Sequence, residues 1–153
     1  MTTGDELKRK VRDIWHAAWD LGEVSALDDL LAPDYRRYGR TSPDGQTREE
    51  LKASITACRR AFPDLTTVID DIVGEPGRLA IRWHSGGTHT GSMLGVPPTG
   101  RTVAVSGATF AHVAGGLIVT EHVTWDPREL LEALGIITVG AGTPAGARTL
   151  EEV

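Results

Sequence analysis

The stretch RTVAVSGATFAHVAGGLIVTEHVTWDPRELLEALG, residues 101–135, decides the fold class. Apolar and polar residues alternate along most of its length, which is typical of β-strands, and AGG at Ala114 separates two such runs as a turn. Pro127 then suits the first position of a helix, whose apolar residues recur at helical spacing up to Gly135: Leu130, Leu131 and Leu134. The stretch therefore predicts two antiparallel strands followed by a short helix.

Two further alternating runs precede this stretch, LTTVIDDIV from Leu65 and RLAIRWHSGGTHTGSM from Arg78. The connections at Gly74 and Gly95 are rich in glycine and proline, which favour turns. Because such connections are short, strands that follow each other along the chain are expected to pair. The sequence predicts a meander of four antiparallel strands.

Helical patterns occupy the first part of the chain. T-x-x-E at Thr3–Glu6 has the form of a capping box, and apolar residues then recur at helical spacing until Gly22. The segment Ser25–Leu31 predicts a second, short helix. A third is predicted from a capping box at Thr47–Glu50, and Pro63 ends it.

Helices followed by a long meander and a closing helix indicate an α+β fold. We expect a cone-shaped, curved antiparallel sheet that is covered by the N-terminal helices, with a short C-terminal helix. The concave interior of such a cone is a natural place for a ligand pocket. Residues 1–137 are predicted to form this domain. Residues 138–153 have no apolar stripe and are predicted to form a flexible tail.

Composition excludes several classes of protein. The 153 residues suffice for a single domain, and a net charge of -5 with scattered basic residues gives no surface for binding nucleic acid. The single cysteine, Cys58, cannot form an internal disulfide. The charged N-terminus does not resemble a signal peptide, and no apolar run is long enough to span a membrane. We therefore expect a soluble, cytoplasmic protein without a nucleic-acid or membrane partner.

Two segments carry a resemblance to a known family: GTHTGSMLGVPPTGRTVAVSG, residues 87–107, and LIVTEHVTWDPRELLEALG, residues 117–135. WDLGEVSALDDLLAPDY, residues 19–35, and RRAFPDL, residues 59–65, add to it. Together they resemble the SnoaL-like polyketide cyclase family, whose fold is the cystatin-like cone of the nuclear-transport-factor-2 superfamily. The resemblance implies a cofactor-free enzyme that closes a ring of a polyketide by intramolecular aldol condensation.

Two departures from the family pattern leave other functions open. The family commonly has a tryptophan where this chain has His122 and a histidine where it has Tyr38. Both residues would alter the pocket wall. Other cofactor-free reactions, such as hydroxylation, epoxide opening or another cyclisation, and a non-catalytic small-molecule-binding dimer are therefore alternatives.

Asp126 is the residue that the resemblance implies as the catalytic acid and base. Its own surroundings in sequence offer a second role, because D-P-R-E places Asp126 at the N-cap of a helix, with Pro127 at N1 and Glu129 at N3. Spacing alone favours the cap. A cap carboxylate has a lowered pKa, whereas a general base needs apolar neighbours that raise its pKa.

The last strand presents two faces, because residues two apart share a side. One side carries Ile118, Thr120, His122 and Thr124 together with Asp126, and the resemblance implies that this polar side lines the cavity. His89 and His122 are candidates for hydrogen bonding to a substrate carbonyl or enolate, with a structural role as the alternative. His84 and His89 match no metal-ligand spacing, so neither a metal nor another cofactor is expected.

Aromatic side chains are predicted to form the walls of a pocket for a polyketide-like small molecule, with plain core packing as the alternative. The predicted substrate-binding residues are Trp15, Trp19, Tyr35, Tyr38, Phe62, Phe110 and His112. The outer face of the sheet is predicted to be apolar, with Val119, Val123 and Trp125, and to form a homodimer.

Overall fold

The computed structural model describes residues 4–93 and 95–138. The described residues form three α-helices: α1 (Gly4–Trp15), α2 (Arg48–Ala61) and α3 (Pro127–Ala133). A π-helical turn (His16–Asp20) and a 3-10 helix (Val24–Asp29) follow α1. The strands are β1 (Leu31–Gly39), β2 (Ser42–Thr47), β3 (Thr66–Glu75), β4 (Arg78–Thr88), β5 (Thr102–Ala114) and β6 (Leu117–Trp125).

Helices α1 and α2 follow the apolar patterns that predicted them. Helix α1 buries Leu7, Val11 and Trp15 along one face. The cap predicted at Thr3 lies outside the described residues. Helix α2 begins with a complete capping box, in which Thr47 Oγ1 accepts from the Glu50 backbone N–H and the Glu50 side chain accepts from the Thr47 backbone N–H. This predicted helix start is confirmed.

The predicted four-strand meander is confirmed, since β3, β4, β5 and β6 pair in sequence order and antiparallel. The full sheet has six strands in the order β2-β1-β6-β5-β4-β3. Strand β1 runs parallel to β6, so the sheet is mixed where a purely antiparallel one was expected. The N-terminal helices and short C-terminal helix complete the predicted α+β cone fold.

Strands β1 and β2 were not predicted, and the second helix was predicted too long. The 3-10 helix ends at Asp29, so it does not include Leu30 and Leu31, and β1 begins at Leu31. Pro33 and Asp34 interrupt the alternation of β1, and both are exposed. Strand β2, SPDGQT, is a polar edge strand without an apolar residue to mark it. A polar edge strand buries no face, so a hydrophobic pattern cannot reveal it.

Two apolar clusters fill the space between helices and sheet. The larger one contains fully buried residues of α1, of α2 and of β6, among them Val11, Ile55 and Ile118. The smaller one joins the end of α2 to α3 through Phe62 and Leu130. The predicted tail begins at Thr138, and its residues 139–153 lie outside the described residues.

Candidate active site

A cavity of about 530 Å³ lies between the helices and the inner face of the sheet. Its volume is in the range of natural small-molecule sites. All four tryptophans of the chain line it: Trp15, Trp19, Trp83 and Trp125. The remaining walls are mostly aliphatic and aromatic, with Phe62, Met93 and Val103 among them. The lining is suited to a flat, largely apolar molecule.

Hydrogen bonds hold two of these tryptophans in place. Trp19 lies in the π-helical turn, and its carbonyl oxygen accepts from Arg59 Nη1 at 2.9 Å. The indole N–H of Trp83 donates to Thr109 Oγ1 on the neighbouring strand at 3.0 Å. The bond to Thr109 fixes the orientation of the Trp83 indole, because a buried N–H is costly to leave unpaired. The bond from Arg59 holds the backbone at Trp19.

Glu121 is the buried carboxyl group that faces this cavity. It lies on β6, where the neighbouring cavity-lining residue on the same side is Trp125. The Tyr35 hydroxyl donates to Glu121 Oε1. Glu121 Oε2 is buried and has no hydrogen-bond partner within the part of the chain that is described. One oxygen is thus fixed, and the other is unpartnered.

Burial raises the pKa of Glu121 above its ordinary value, against the lowering effects of the Tyr35 hydrogen bond and the Arg37 charge. The same environment raises the pKa of the Tyr35 hydroxyl, mainly through burial and also through Glu121. Tyr35 therefore remains a hydrogen-bond donor. A carboxyl group with a raised pKa is a stronger base when ionised and holds a proton more readily, which suits a group that accepts and returns a proton.

Arg37 brings a positive charge to the same end of the cavity. Its Cα is paired with that of Glu121 in the parallel register of β1 and β6, and its side chain is a partly buried part of the lining. Within residues 4–93 and 95–138, no hydrogen bond or ion pair joins the Arg37 side chain to another residue. The two charged residues of the cavity lining, Arg37 and Glu121, therefore lie on neighbouring strands at the same level of the sheet.

Asp126 lies outside the cavity, at the N-cap of α3. Its Oδ1 accepts from the Arg128 backbone N–H at 3.0 Å and from Arg128 Nε at 2.9 Å. These bonds lower its pKa, and its side chain is 41% exposed. The cap that spacing favoured is confirmed. The expected position of Asp126 in the cavity is wrong, and its catalytic role stays a prediction.

The face of β6 that was expected to line the cavity points outward. His122 and Thr124 are exposed, whereas Glu121 and Trp125 face the cavity. The His122 ring stacks on Tyr38 with centroids 5.0 Å apart. Alternation correctly separates the two sides but does not say which side is buried, and here the cavity takes the side with the larger apolar residues.

The same inversion places Phe110 and His112 on the outer face. Phe110 pairs with His122 in the antiparallel register and is 51% exposed. His112 Nδ1 is 3.2 Å from Thr120 Oγ1. Neither residue lines the cavity, so the expected position of both in the pocket wall is wrong.

His89 is fully buried but is not among the residues that line the cavity. Its Nδ1 accepts from the Thr99 backbone N–H at 3.2 Å and lies 3.0 Å from the Thr99 hydroxyl. Its ring lies 5.4 Å from that of Phe62, which does line the cavity. Because Nδ1 accepts, the proton of a neutral imidazole is on Nε2. The catalytic role predicted for His89 stays a prediction.

The other predicted aromatic residues divide between two places. Trp15, Trp19 and Phe62 line the cavity, whereas Tyr35 is buried beneath Glu121 and Tyr38 lies on the outer face. Arg37, Trp83, Glu121 and Trp125 are among the lining residues that sequence reasoning missed. The sequence did contain a signal for Glu121. It is the single carboxylate on a side of the strand that it shares with Val119, Val123 and Trp125.

Among the described residues, no three His, Cys, Asp or Glu side chains are grouped so that they could hold a metal ion. None of the helices in residues 4–93 and 95–138 has both the length and the apolar character that crossing a lipid bilayer requires.

The family model of SnoaL-like polyketide cyclases matches residues 9–134. A comparison with curated protein sequences finds no match. Among solved structures, AclR of Streptomyces galilaeus, a proposed hydroxylase, is 26% identical with a TM-score of 0.79, over 89% of this chain and 100% of that one. IdmH of Streptomyces antibioticus, a proposed polyketide cyclase, is 28% identical with a TM-score of 0.74, over 85% and 99%.

TsrD of Streptomyces laurentii is 25% identical with a TM-score of 0.77, over 86% of this chain and 96% of that one. The family model covers most of the chain. The resemblance stated from the sequence is therefore confirmed: the chain belongs to the SnoaL-like polyketide cyclase family.

Proposed function

We propose that this protein closes a ring of a polyketide-like substrate by a cofactor-free, intramolecular aldol-type condensation, with Glu121 as the acid and base. The observation that carries the proposal is the buried Glu121 carboxyl, whose pKa is raised and which faces an aromatic cavity of about 530 Å³. Membership of the SnoaL-like cyclase family supports ring closure as the reaction.

The proposed reaction needs one proton acceptor. A proton between two carbonyl groups is acidic enough for a positioned carboxylate to remove. Glu121 Oε2 takes this proton, and the resulting enolate carbon attacks a second carbonyl of the same molecule, so that one C–C bond forms and the carbonyl oxygen becomes an alkoxide. Protonated Glu121 then returns the proton to the alkoxide. Atoms and charges balance without an external reagent.

Tyr35 is proposed as a positioning residue. Its hydrogen bond to Oε1 fixes the plane of the carboxyl group and leaves Oε2 without a partner among the described residues. The tryptophans are proposed to fold the substrate chain into a reactive conformation. Holding two reacting groups of one molecule together removes much of the entropic barrier.

The test compares Glu121→Gln with Asp126→Asn, measured on pathway intermediates that the wild-type protein cyclises. Glutamine keeps the shape but cannot accept the α-proton, so turnover is expected to fall by about 10² to 10⁴. Asp126→Asn is expected to retain turnover, because asparagine caps a helix about as well as aspartate. If the loss followed Asp126 instead, the base would be the residue that the family resemblance implies.

A second candidate reaction is cofactor-free hydroxylation in the same cavity. It is supported by the similarity to AclR, a proposed hydroxylase. Oxygen consumption and incorporation of an oxygen atom into the product distinguish it from ring closure, which leaves the composition of the substrate unchanged or releases water.

We also propose that two copies associate through the outer face of the sheet. The sequence predicted that Val119, Val123 and Trp125 form this contact. That prediction is wrong for Trp125, which lines the cavity. The strand register instead places one residue from each of five strands in a row on the outer face: Tyr38, His122, Phe110, Ala80 and Val73. Phe110 and Val73 are both more than half exposed. Light scattering at micromolar concentration is expected to show a dimer, and Phe110→Glu a monomer.

A further inference from the structure

Arg37 has no hydrogen-bond or ion-pair partner among the described residues, whereas several other arginines have one. Arg48 binds Asp28, Arg59 donates to three backbone carbonyls, and Arg128 binds Asp126. Arg36, the sequence neighbour of Arg37, donates to the Gly45 carbonyl oxygen on the other side of β1. Arg37 lines the cavity with no hydrogen bond or ion pair in the residues that the structure describes.

Arg37 is partly buried in the cavity wall, so its guanidinium has lost part of its hydration and gains free energy when an anion binds it. Removing a charge from water costs free energy, which is recovered when an oppositely charged group with matching hydrogen bonds is present. Glu121 is the adjacent carboxyl, yet it forms no ion pair with Arg37 although their Cα atoms are paired in register. Its Oε1 is bound by Tyr35 and its Oε2 is unpartnered.

We propose that Arg37 binds an oxyanion of the ligand, and that the ligand of this cavity is therefore a flat aromatic acid. The anionic group is a carboxylate or the ionised enol of a 1,3-dicarbonyl, since both present two oxygens that match the planar fork of a guanidinium. The tryptophan walls bind the aromatic body. This inference rests on the proposed function in placing the substrate in the same cavity.

The four tryptophans make binding measurable without knowledge of the natural substrate. Anthracene-2-carboxylate, its neutral counterpart anthracene-2-methanol, and 2-naphthoylacetone as an acidic 1,3-dicarbonyl are titrated separately against tryptophan fluorescence. In the wild-type protein the carboxylate, the ionised dicarbonyl or both are expected to bind more tightly than the alcohol. The comparison between these two probes identifies which oxyanion the site accepts.

Arg37→Gln is expected to weaken binding of the preferred anion by about tenfold to a hundredfold, because a charge-assisted pair of hydrogen bonds is lost, and to leave the alcohol unchanged. Arg37→Lys keeps the charge without the fork and is expected to have an intermediate affinity. Arg82→Gln is the matched control. It makes the same change in net charge at an exposed β4 residue outside the cavity, and it is expected to bind like the wild type.

Circular dichroism and an unchanged affinity for anthracene-2-methanol show that each variant is folded with an intact cavity. If the anions bind no better than the alcohol and Arg37→Gln alters neither, the inference is overturned, while the cavity remains a ligand site and the proposed reaction still stands. If none of the three probes binds the wild type, the cavity is not a site for flat aromatics, and the proposed function fails together with the inference.

Discussion

The Tyr35 hydroxyl donates a hydrogen bond to Glu121 Oε1 across 86 residues of sequence, with both side chains buried. Burial holds the pKa of the tyrosine above its ordinary value, so the hydroxyl keeps its proton and stays a donor. The bond joins β1 to β6, its neighbour in the sheet. It therefore makes the proposed acid–base group part of the core.

Tyr35→Phe removes this donor and leaves both oxygens of Glu121 without a partner among the described residues. A buried acceptor without a hydrogen bond costs about 1–3 kcal/mol, so the free energy of unfolding is expected to fall by that amount. Urea denaturation measures it. Tyr38→Phe, at a tyrosine of the outer face, is the control and should change stability by less than about 0.5 kcal/mol. Equal effects of the two variants would contradict the role of the bond.

Stability should depend on pH through Glu121 in a direction that its burial determines. Burial raises its pKa in the folded state above the ordinary 4.5, so the folded protein holds a proton that the unfolded chain has released. The contribution of this group to the free energy of unfolding is therefore greatest below pH 4.5. It decreases as pH rises toward the pKa of the folded state, by up to about 1.4 kcal/mol per pH unit.

Glu121→Gln removes that titration and retains every other carboxyl group, so a comparison with the wild type isolates the effect of Glu121. Urea denaturation over a series of pH values is expected to show wild type losing stability relative to Glu121→Gln as pH rises through this window. A constant difference between the two proteins would mean that the pKa of Glu121 is the same in the folded and unfolded states.

Asp126 offers a pair of substitutions that separates capping from acid–base chemistry. Asp126→Ala loses the bond to the Arg128 backbone N–H and is expected to cost about 1 kcal/mol of stability. Asp126→Asn should keep most of it. Thermal or urea unfolding compares the two, and equal stability of the variants would show that the cap contributes nothing.

The capping box of α2 gives a prediction that is independent of the site. Thr47→Ala removes the acceptor for the Glu50 backbone N–H and is expected to destabilise the protein by about 1 kcal/mol. Thr56→Ala, in the exposed middle of the same helix, is the matched control and should be neutral or slightly stabilising, because alanine has the higher helix propensity. A larger loss at Thr56 than at Thr47 would contradict this.

The sequence predicted the parts of the fold that bury an apolar face. Strands β3 to β6 alternate clearly, and α1 and α2 have strong apolar stripes with a recognisable cap at Thr47. Strand β2 has no such signal because it lies at the sheet edge and carries polar residues. Strand β1 was missed because Pro33 interrupts it and because its partner, β6, is distant in sequence.

The site was harder to predict because it depends on which side of β6 faces inward. Alternation places His122 and Thr124 on the side opposite Glu121, but either side could have been the buried one. A register shift at His112 and Val113 adds to this, since it puts Ile118 in the core together with Glu121 although they are an odd number of residues apart. A pairing irregularity of this kind has no signal in a hydrophobic pattern.

The parallel pairing of β1 with β6 also bears on how the protein is made. While the chain emerges from the ribosome, β1 can pair with β2, but its other neighbour, β6, exists only once residues near Glu121 are made, which at ordinary rates of translation takes on the order of ten seconds. During that interval the Tyr35 hydroxyl lacks its partner Glu121. We expect nascent chains that stall before β6 to leave this side of β1, and with it the interior of the future pocket, uncovered.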